Sequence, residues 1–169
     1  EKLIPTTVKI VDIAGLVKGA SKGEGLGNKF LSNIRETDAI IHVLRCFDDP
    51  NIVHVDGKIN PLSDKEVVEY ELVLKDIEII EKRLDKIKKT LRSGSNESKK
   101  EIEILEKVLF QLQNMNVNRV DFSDDQFEDY IKPLELISFK PILYVCNVGE
   151  SDVITGNSYV EGVRKEVES

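Results

Sequence analysis

The chain has 169 residues, 40% of them hydrophobic and 33% charged, with a formal net charge of −7; that suits one domain, or one domain with an insertion, and excludes a disordered tail as the main content. The charge argues against broad, non-specific nucleic-acid binding. No apolar run approaches the roughly 20 residues that cross a bilayer, and no signal-peptide pattern opens the chain, so no membrane partner is expected.

Val8 to Ile13 is apolar on both faces, the pattern of a buried parallel strand. It runs into Asp12-Ile13-Ala14-Gly15. A carboxylate at the carboxyl end of a strand can hold Mg²⁺, usually through water, and a glycine amide just beyond can meet a γ-phosphate oxygen. A lone D-x-x-G is equally a turn closed by an Asx hydrogen bond. The adjoining loop shifts the balance: Gly15 to Gly27 holds five glycines and almost no apolar anchor. Such a segment cannot bury itself and is expected to order around a ligand. No G-x-x-x-x-G-K-[ST] occurs in the chain, so a phosphate-binding loop is expected upstream of Glu1.

Phe30, Leu31 and Ile34 then share one face of a short helix, and Ala39 to Cys46 reads as a second buried strand. Strand, loop, helix and strand make a βαβ unit, so the sheet is expected to be parallel. His42 lies inside that strand among Ile40, Ile41, Val43 and Leu44. A histidine in such a place is more often a satisfied core residue than a catalytic one. Cys46 and Cys146 both fall in strand-like runs and read as small buried side chains in a reducing, cytoplasmic setting, not as a disulfide or metal pair.

From Asp64 to Arg92 the apolar residues Val67, Tyr70, Leu74, Ile77, Ile80, Leu84, Ile87 and Leu91 form a narrow seam at coiled-coil spacing. Ser93-Gly94-Ser95-Asn96 breaks the helix, and Ser98 to Glu101 has the spacing of a capping box. A second helix continues the seam with Ile102, Leu105, Leu109 and Leu112. The two are expected to pack as an antiparallel hairpin, inserted at residues 63–133 between the parts 1–62 and 134–169 of an α/β domain. Lys82-Arg83, Lys86 and Lys88-Lys89 make a basic stretch with acids interleaved, read as a solvated helix face.

Pro141 to Asn147 is the third expected strand, and Tyr159 to Glu168 begins another sheet-covering helix. At the strand exit stands Asn147-Val148-Gly149-Glu150. Where a guanine-specific site carries Asn-Lys-x-Asp, this chain has Val148 and Glu150. Adenine offers an N6 donor and an N7 acceptor that an Asn amide can meet. A plain strand-to-loop exit is the alternative reading.

The run from Val11 to Phe47 resembles the Obg-like ATPases, the YchF subfamily of translation-factor-class P-loop NTPases. The N-x-x-E element at Asn147 to Glu150, the inserted hairpin, and His54 to Pro61 after the second strand agree with that resemblance. It implies a partial Ras-like P-loop NTPase domain with a helical insertion, and an Mg²⁺-dependent ATPase that tolerates GTP and associates with ribosomes. It also implies a chain without the P-loop end and without the small C-terminal TGS domain of whole members, unable to hydrolyse nucleotide by itself. The roles it implies are Asp12 for the metal, Gly15 for the γ-phosphate, and Asn147, Val148 and Glu150 at the base. The position after D-x-x-G is Leu16, which cannot orient water as a glutamine does, and the resemblance suggests His42 for that task. Two readings compete: a GTP-specific Obg-type GTPase, and a non-catalytic coiled-coil interaction module. The hairpin's Lys86, Lys88 and Lys89 are a plausible contact to ribosomal RNA.

Overall fold

Asn60, Pro61 and Asp64 start the longest element of the molecule. The Asn60 side chain accepts from the Ser63 amide at 3.3 Å, its carbonyl accepts from the Asp64 amide at 3.0 Å, and Pro61 takes the first helical position, where a missing N–H costs nothing. The resulting helix, Pro61–Thr90, places Asp64 in its first turn and Lys88 and Lys89 in its last, complementing the helix dipole. In this computed structural model, residues 7–13, 26–52, 57–90, 96–117 and 121–168 are described, with 26–30 and 90 known by backbone alone.

In chain order the elements are α1 (Leu26–Arg35), β1 (Ile40–Arg45), α2 (Pro61–Thr90), α3 (Asn96–Gln113), α4 (Asp124–Gln126), β2 (Ile142–Asn147) and α5 (Ser158–Val167). α4 runs on into a π-helix, Phe127–Ile131, and a 3-10 turn, Lys132–Leu134. β1 and β2 pair in parallel, Ile40 opposite Ile142 through Arg45 opposite Asn147. Burial alternates along both strands. Ile40, His42, Leu44, Ile142, Tyr144 and Cys146 face inward, whereas Ile41, Val43, Leu143 and Val145 are exposed on the other face.

The expected strand at Val8 to Ile13 pairs with nothing among the described residues, so the three anticipated strands reduce to two. Val8 and Ile10 are 78% and 76% exposed, and only Ile13 reaches an apolar cluster, the one built on Leu31, Ile34, Leu72 and Ile137. Apolar character without a ladder partner does not make a strand.

α2 has two different neighbours, and its buried face changes accordingly. Towards its carboxyl end the expected seam of α2 holds, with Ile80, Leu84 and Ile87 buried against α3. On α3 itself Leu105 and Leu112 are buried as expected, but Ile104 and Val108 are buried where Ile102 and Leu109, only partly buried, were expected. Towards its amino end the buried residues include Glu71, Leu72, Val73 and Asp76, while Tyr70, counted in the seam, is 50% exposed. There Leu72 lies on Ile40, Ile34 and Ile137, while Val73 still joins the cluster that α3 builds, so the contact face rotates away from the coiled-coil stripe. Leu91 and the turn at Ser93-Gly94 fall outside the described residues.

One polar contact joins the two regimes. Asp76 is fully buried and accepts from the Ile137 amide at 2.9 Å, the Ser138 amide at 2.7 Å and the Ser138 hydroxyl at 2.6 Å. It ties the middle of α2 to the segment entering β2. Burial pushes its pKa up, against the pull of those three hydrogen bonds and of Arg35. Nearby, Lys140 donates to the carbonyls of Arg35, at 3.0 Å, and Thr37, closing the carboxyl end of α1.

Replacing Asp76 with Ala leaves the buried Ile137 amide and the half-buried Ser138 amide without an acceptor. The expected loss of unfolding free energy is roughly 3 kcal/mol, read by urea denaturation; a loss within about 0.5 kcal/mol, the size of an ordinary surface substitution, contradicts this account of α2.

Candidate functional site at the carboxyl edge of the sheet

β1 and β2 end side by side, with Arg45 opposite Asn147, and the Cys46 amide donates to the Asn147 carbonyl at 2.7 Å. In a parallel sheet covered by crossover helices, the carboxyl edge is where ligands gather. Asn147 follows the alternation of β2 onto its exposed face, the side of Leu143 and Val145. Its side-chain amide has no hydrogen-bond partner among the described residues, and the same is true of the exposed Glu150 carboxylate. Val148 is half-buried and packs in the cluster of Leu44, Cys46 and Val163, which holds the strand exit in place. Glu150 opens a 3-10 turn, Glu150–Asp152.

The far side of this loop is held as firmly. Asn157 caps α5, its side-chain oxygen accepting from the Tyr159 and Val160 amides at 3.1 Å each. Its amide nitrogen donates to the Cys46 carbonyl and to the Asp152 carboxylate, both at 2.8 Å. Tyr159 donates to Asp48, and that hydrogen bond raises the pKa of its hydroxyl. Residues 148–156 are therefore slung between the end of β2 and a helix fastened to the end of β1. Arg45 takes no free part: its guanidinium donates to the carbonyls of Phe47, Asp49 and Ile52 and lies 4.8 Å over the Phe47 ring. Sequence reasoning passed over Asn157, whose signal was present as an Asn directly before a helical pattern.

His42 is placed differently. It sits mid-strand on the inward face, opposite Tyr144, with ring centroids 5.7 Å apart. The sheet thus puts His42 and Asn147 on opposite faces. The Tyr144 hydroxyl donates to Glu69 of α2, Glu69 pairs with Lys65 at 3.0 Å, and the Lys65 ammonium stands 5.5 Å over the Tyr144 ring. Burial lowers the pKa of His42, opposed by Glu69 and Asp64 and assisted by Lys65. Its surroundings are those of a packed, neutral core imidazole.

Asp12 is exposed, and no hydrogen bond or ion pair joins it to Asn147, Glu150 or His42 among the described residues. Gly15, Leu16 and the glycine-rich loop, like His54, lie outside the described residues. Both cysteines are free; burial and the neighbouring Cys146 push the Cys46 thiol up to about 12, which leaves it unreactive. No described helix is long and apolar enough to cross a membrane.

The hairpin's basic stretch is largely paired. Lys82 bonds to Glu78, Arg83 to Glu101 at 2.6 Å, and Lys88 to Glu106 at 2.7 Å.

Comparison with known proteins agrees with this architecture. The sequence pattern of a family described as 50S ribosome-binding GTPase matches residues 2–82. The chain is 47% identical over 166 residues to the ribosome-binding ATPase YchF of Escherichia coli O157:H7, covering 98% of this chain and 45% of that protein. It is 46% identical over 168 residues to the protein of the same name in Bacillus subtilis, with 98% and 46% covered. The solved YchF GTPase of Schizosaccharomyces pombe superposes with a TM-score of 0.74 at 36% identity, over 89% of this chain and 43% of the other. The chain therefore spans somewhat less than half the length of these relatives.

The burial of His42 makes a pH prediction. With its folded pKa below the ordinary histidine value of 6.5, the unfolded chain takes up the proton first, so stability falls as pH drops through 6.5 towards the folded value. The raised pKa of Asp76 acts in the opposite sense at lower pH, and it cancels when wild type is compared with His42→Gln. Between about pH 7.5 and about 5.5 the wild type is expected to lose more of its urea midpoint than the variant; equal losses contradict the assignment.

Proposed function

The chain belongs to the YchF family of P-loop nucleotide hydrolases, and from that premise we propose that it is the part of an Mg²⁺-dependent, ribosome-associated ATPase of the cytoplasm that reads the nucleotide base and senses the γ-phosphate. The observation that carries this reading is the pair Asn147 and Glu150, exposed and without partners among the described residues at the carboxyl edge of a parallel sheet, on a loop clamped at both ends. Residues 1–62 and 134–169 form the nucleotide-binding unit of this reading, and 63–133 its inserted arm.

Names among the relatives divide between ATPase and GTPase. The residues favour adenine, with GTP secondary. A guanine reader needs a short carboxylate for N1 and the exocyclic amine, and a lysine stem beside it; Glu150 is one methylene longer and Val148 has no stem. The Asn147 amide matches the donor and acceptor of the adenine edge. Asp12 fits the metal assigned to it: a single exposed carboxylate suits Mg²⁺, which keeps most of its waters and takes one or two protein oxygens. The ion supplies charge neutralisation at the phosphates. Gly15 belongs to the same reading as an amide donor to the γ-phosphate.

His42 as the residue that orients water is the weakest part of the resemblance's assignment, since it faces α2 and a tyrosine instead of the carboxyl edge. A surface contact from the hairpin to ribosomal RNA is likewise poorly supported at Lys88, which Glu106 already engages. Nor does a free coiled-coil groove favour the non-catalytic module, because the seam of α2 is occupied by α3.

The nucleotide reading is tested in the full-length protein with Val148→Lys and Glu150→Asp combined. The ratio of ATP to GTP affinity is expected to fall at least tenfold, about 1.4 kcal/mol, measured by competition with a fluorescent nucleotide. An unchanged ratio removes the base-reading role. His42→Ala is expected to lower the unfolding midpoint while hydrolysis per folded molecule stays within about twofold; a larger drop restores it to the catalytic set.

A further inference from the structure

The inward face of β2 carries a polar contact that the nucleotide reading leaves unused. Tyr144 stands three residues before Asn147 on the same six-residue strand. Its hydroxyl donates to Glu69, and burial together with that hydrogen bond raises the hydroxyl's pKa, so it remains a donor throughout the physiological range. Glu69 is in turn fixed by Lys65, one helical turn earlier; their side chains are only 26% and 12% exposed. The Lys65 ammonium also lies over the ring whose hydroxyl Glu69 holds. Three side chains thus brace one another, and water reaches them poorly.

Apolar packing between a sheet and a helix is non-directional and leaves sliding along the strand cheap. A hydrogen bond to a charged, partly buried acceptor is directional and strong. β2 is hydrogen-bonded on one side only among the described residues, to β1. Its longitudinal position against α2 is therefore set by two polar contacts. One is Asp76 with Ile137 and Ser138 at the entrance to the strand; the other is Glu69 with Tyr144 in its middle. Beyond Tyr144 the strand leads directly to Asn147, whose carbonyl is tied to β1 and whose side chain points to the opposite face.

We propose that Tyr144, held by Glu69 and Lys65, is a positioning residue for base recognition: it sets where α2 presents the carboxyl end of β2, and so where Asn147 and Glu150 meet the nucleobase. The inference rests on the base-reading role of Asn147 proposed above. It also makes the first three turns of α2 part of the nucleotide site, through Lys65 and Glu69, which act on the base only through Tyr144.

The test uses the full-length protein, with ATP and inorganic tripolyphosphate as probes, because tripolyphosphate carries the phosphate contacts without a base. Tyr144→Phe removes only the hydroxyl. It is expected to weaken ATP binding about three- to tenfold, with tripolyphosphate affinity unchanged. Glu69→Leu is expected to do the same, whereas Glu69→Gln, which keeps an oxygen for the hydroxyl, stays within about twofold of wild type. Equal weakening of ATP and tripolyphosphate overturns the proposal, since it marks a general loss of structure. Asn147→Ala is measured alongside. If it weakens ATP binding and Tyr144→Phe does not, the positioning role alone is overturned; if neither weakens it, the base-reading premise falls and takes the proposal with it.

Discussion

A carboxylate without exposed surface sits in the middle of a thirty-residue helix and accepts three hydrogen bonds from the two residues that lead into a strand. Everything α2 positions depends on that contact at Asp76. Below it, Leu72 lies with Leu31 and Ile34 of α1 and with Ile40 of β1; above it, Ile80, Leu84 and Ile87 pack on α3. Burial of a carboxylate is costly unless its acceptor capacity is met by well-placed donors. Here two backbone amides and a hydroxyl meet it, and a shift of the helix along the sheet breaks all three bonds at once. α2 is thereby a single rigid member shared by a hairpin and by the strand that carries Asn147.

The two faces of the small sheet then divide the labour. Inward, His42 and Tyr144 meet a charged pair on α2, and desolvation keeps the imidazole neutral. Outward and at the carboxyl edge, Asn147 and Glu150 stand without partners among the described residues, while Asn157 fastens the far end of their loop to the end of β1. A strand carries side chains alternately to opposite sides, so residues three apart, such as Tyr144 and Asn147, necessarily serve different faces. That parity links a helix packed on one side to the exposed residues on the other without any direct contact.

Charge on the hairpin is arranged for the hairpin itself. Arg83 and Lys88 reach across to Glu101 and Glu106 of α3, and Lys82 pairs along its own helix. Exposed pairs of this kind contribute little to stability individually, but they neutralise the positive stripe that the sequence displays.

Much of the fold was legible in the residue order because it arises from local physics. β1, β2 and α5 were expected within a residue or two of where they lie, and the Ile80, Leu84 and Ile87 seam faces α3 as its spacing implied. Asn147, Val148 and Glu150 were readable as a strand-exit cluster because three neighbouring residues stay together whatever the tertiary arrangement. The misreadings were non-local. Val8 to Ile13 has the apolar pattern of a strand, yet a strand exists only where another supplies its ladder. Tyr70 fits the heptad, yet the amino-terminal half of α2 turns a different face inward because its neighbour there is a sheet. Asp76 carries no signal in the seam's spacing, and its burial depends on Ile137 and Ser138, some 61 and 62 residues away. The sequence by itself located α1, β1, β2, the hairpin helices and α5, because periodicity is a local property of the chain. Only the tertiary structure decided which face of each element is buried, and so that His42 and Tyr144 face α2 while Asn147 and Glu150 stand exposed without partners among the described residues, because burial depends on what packs against an element and not on its own pattern.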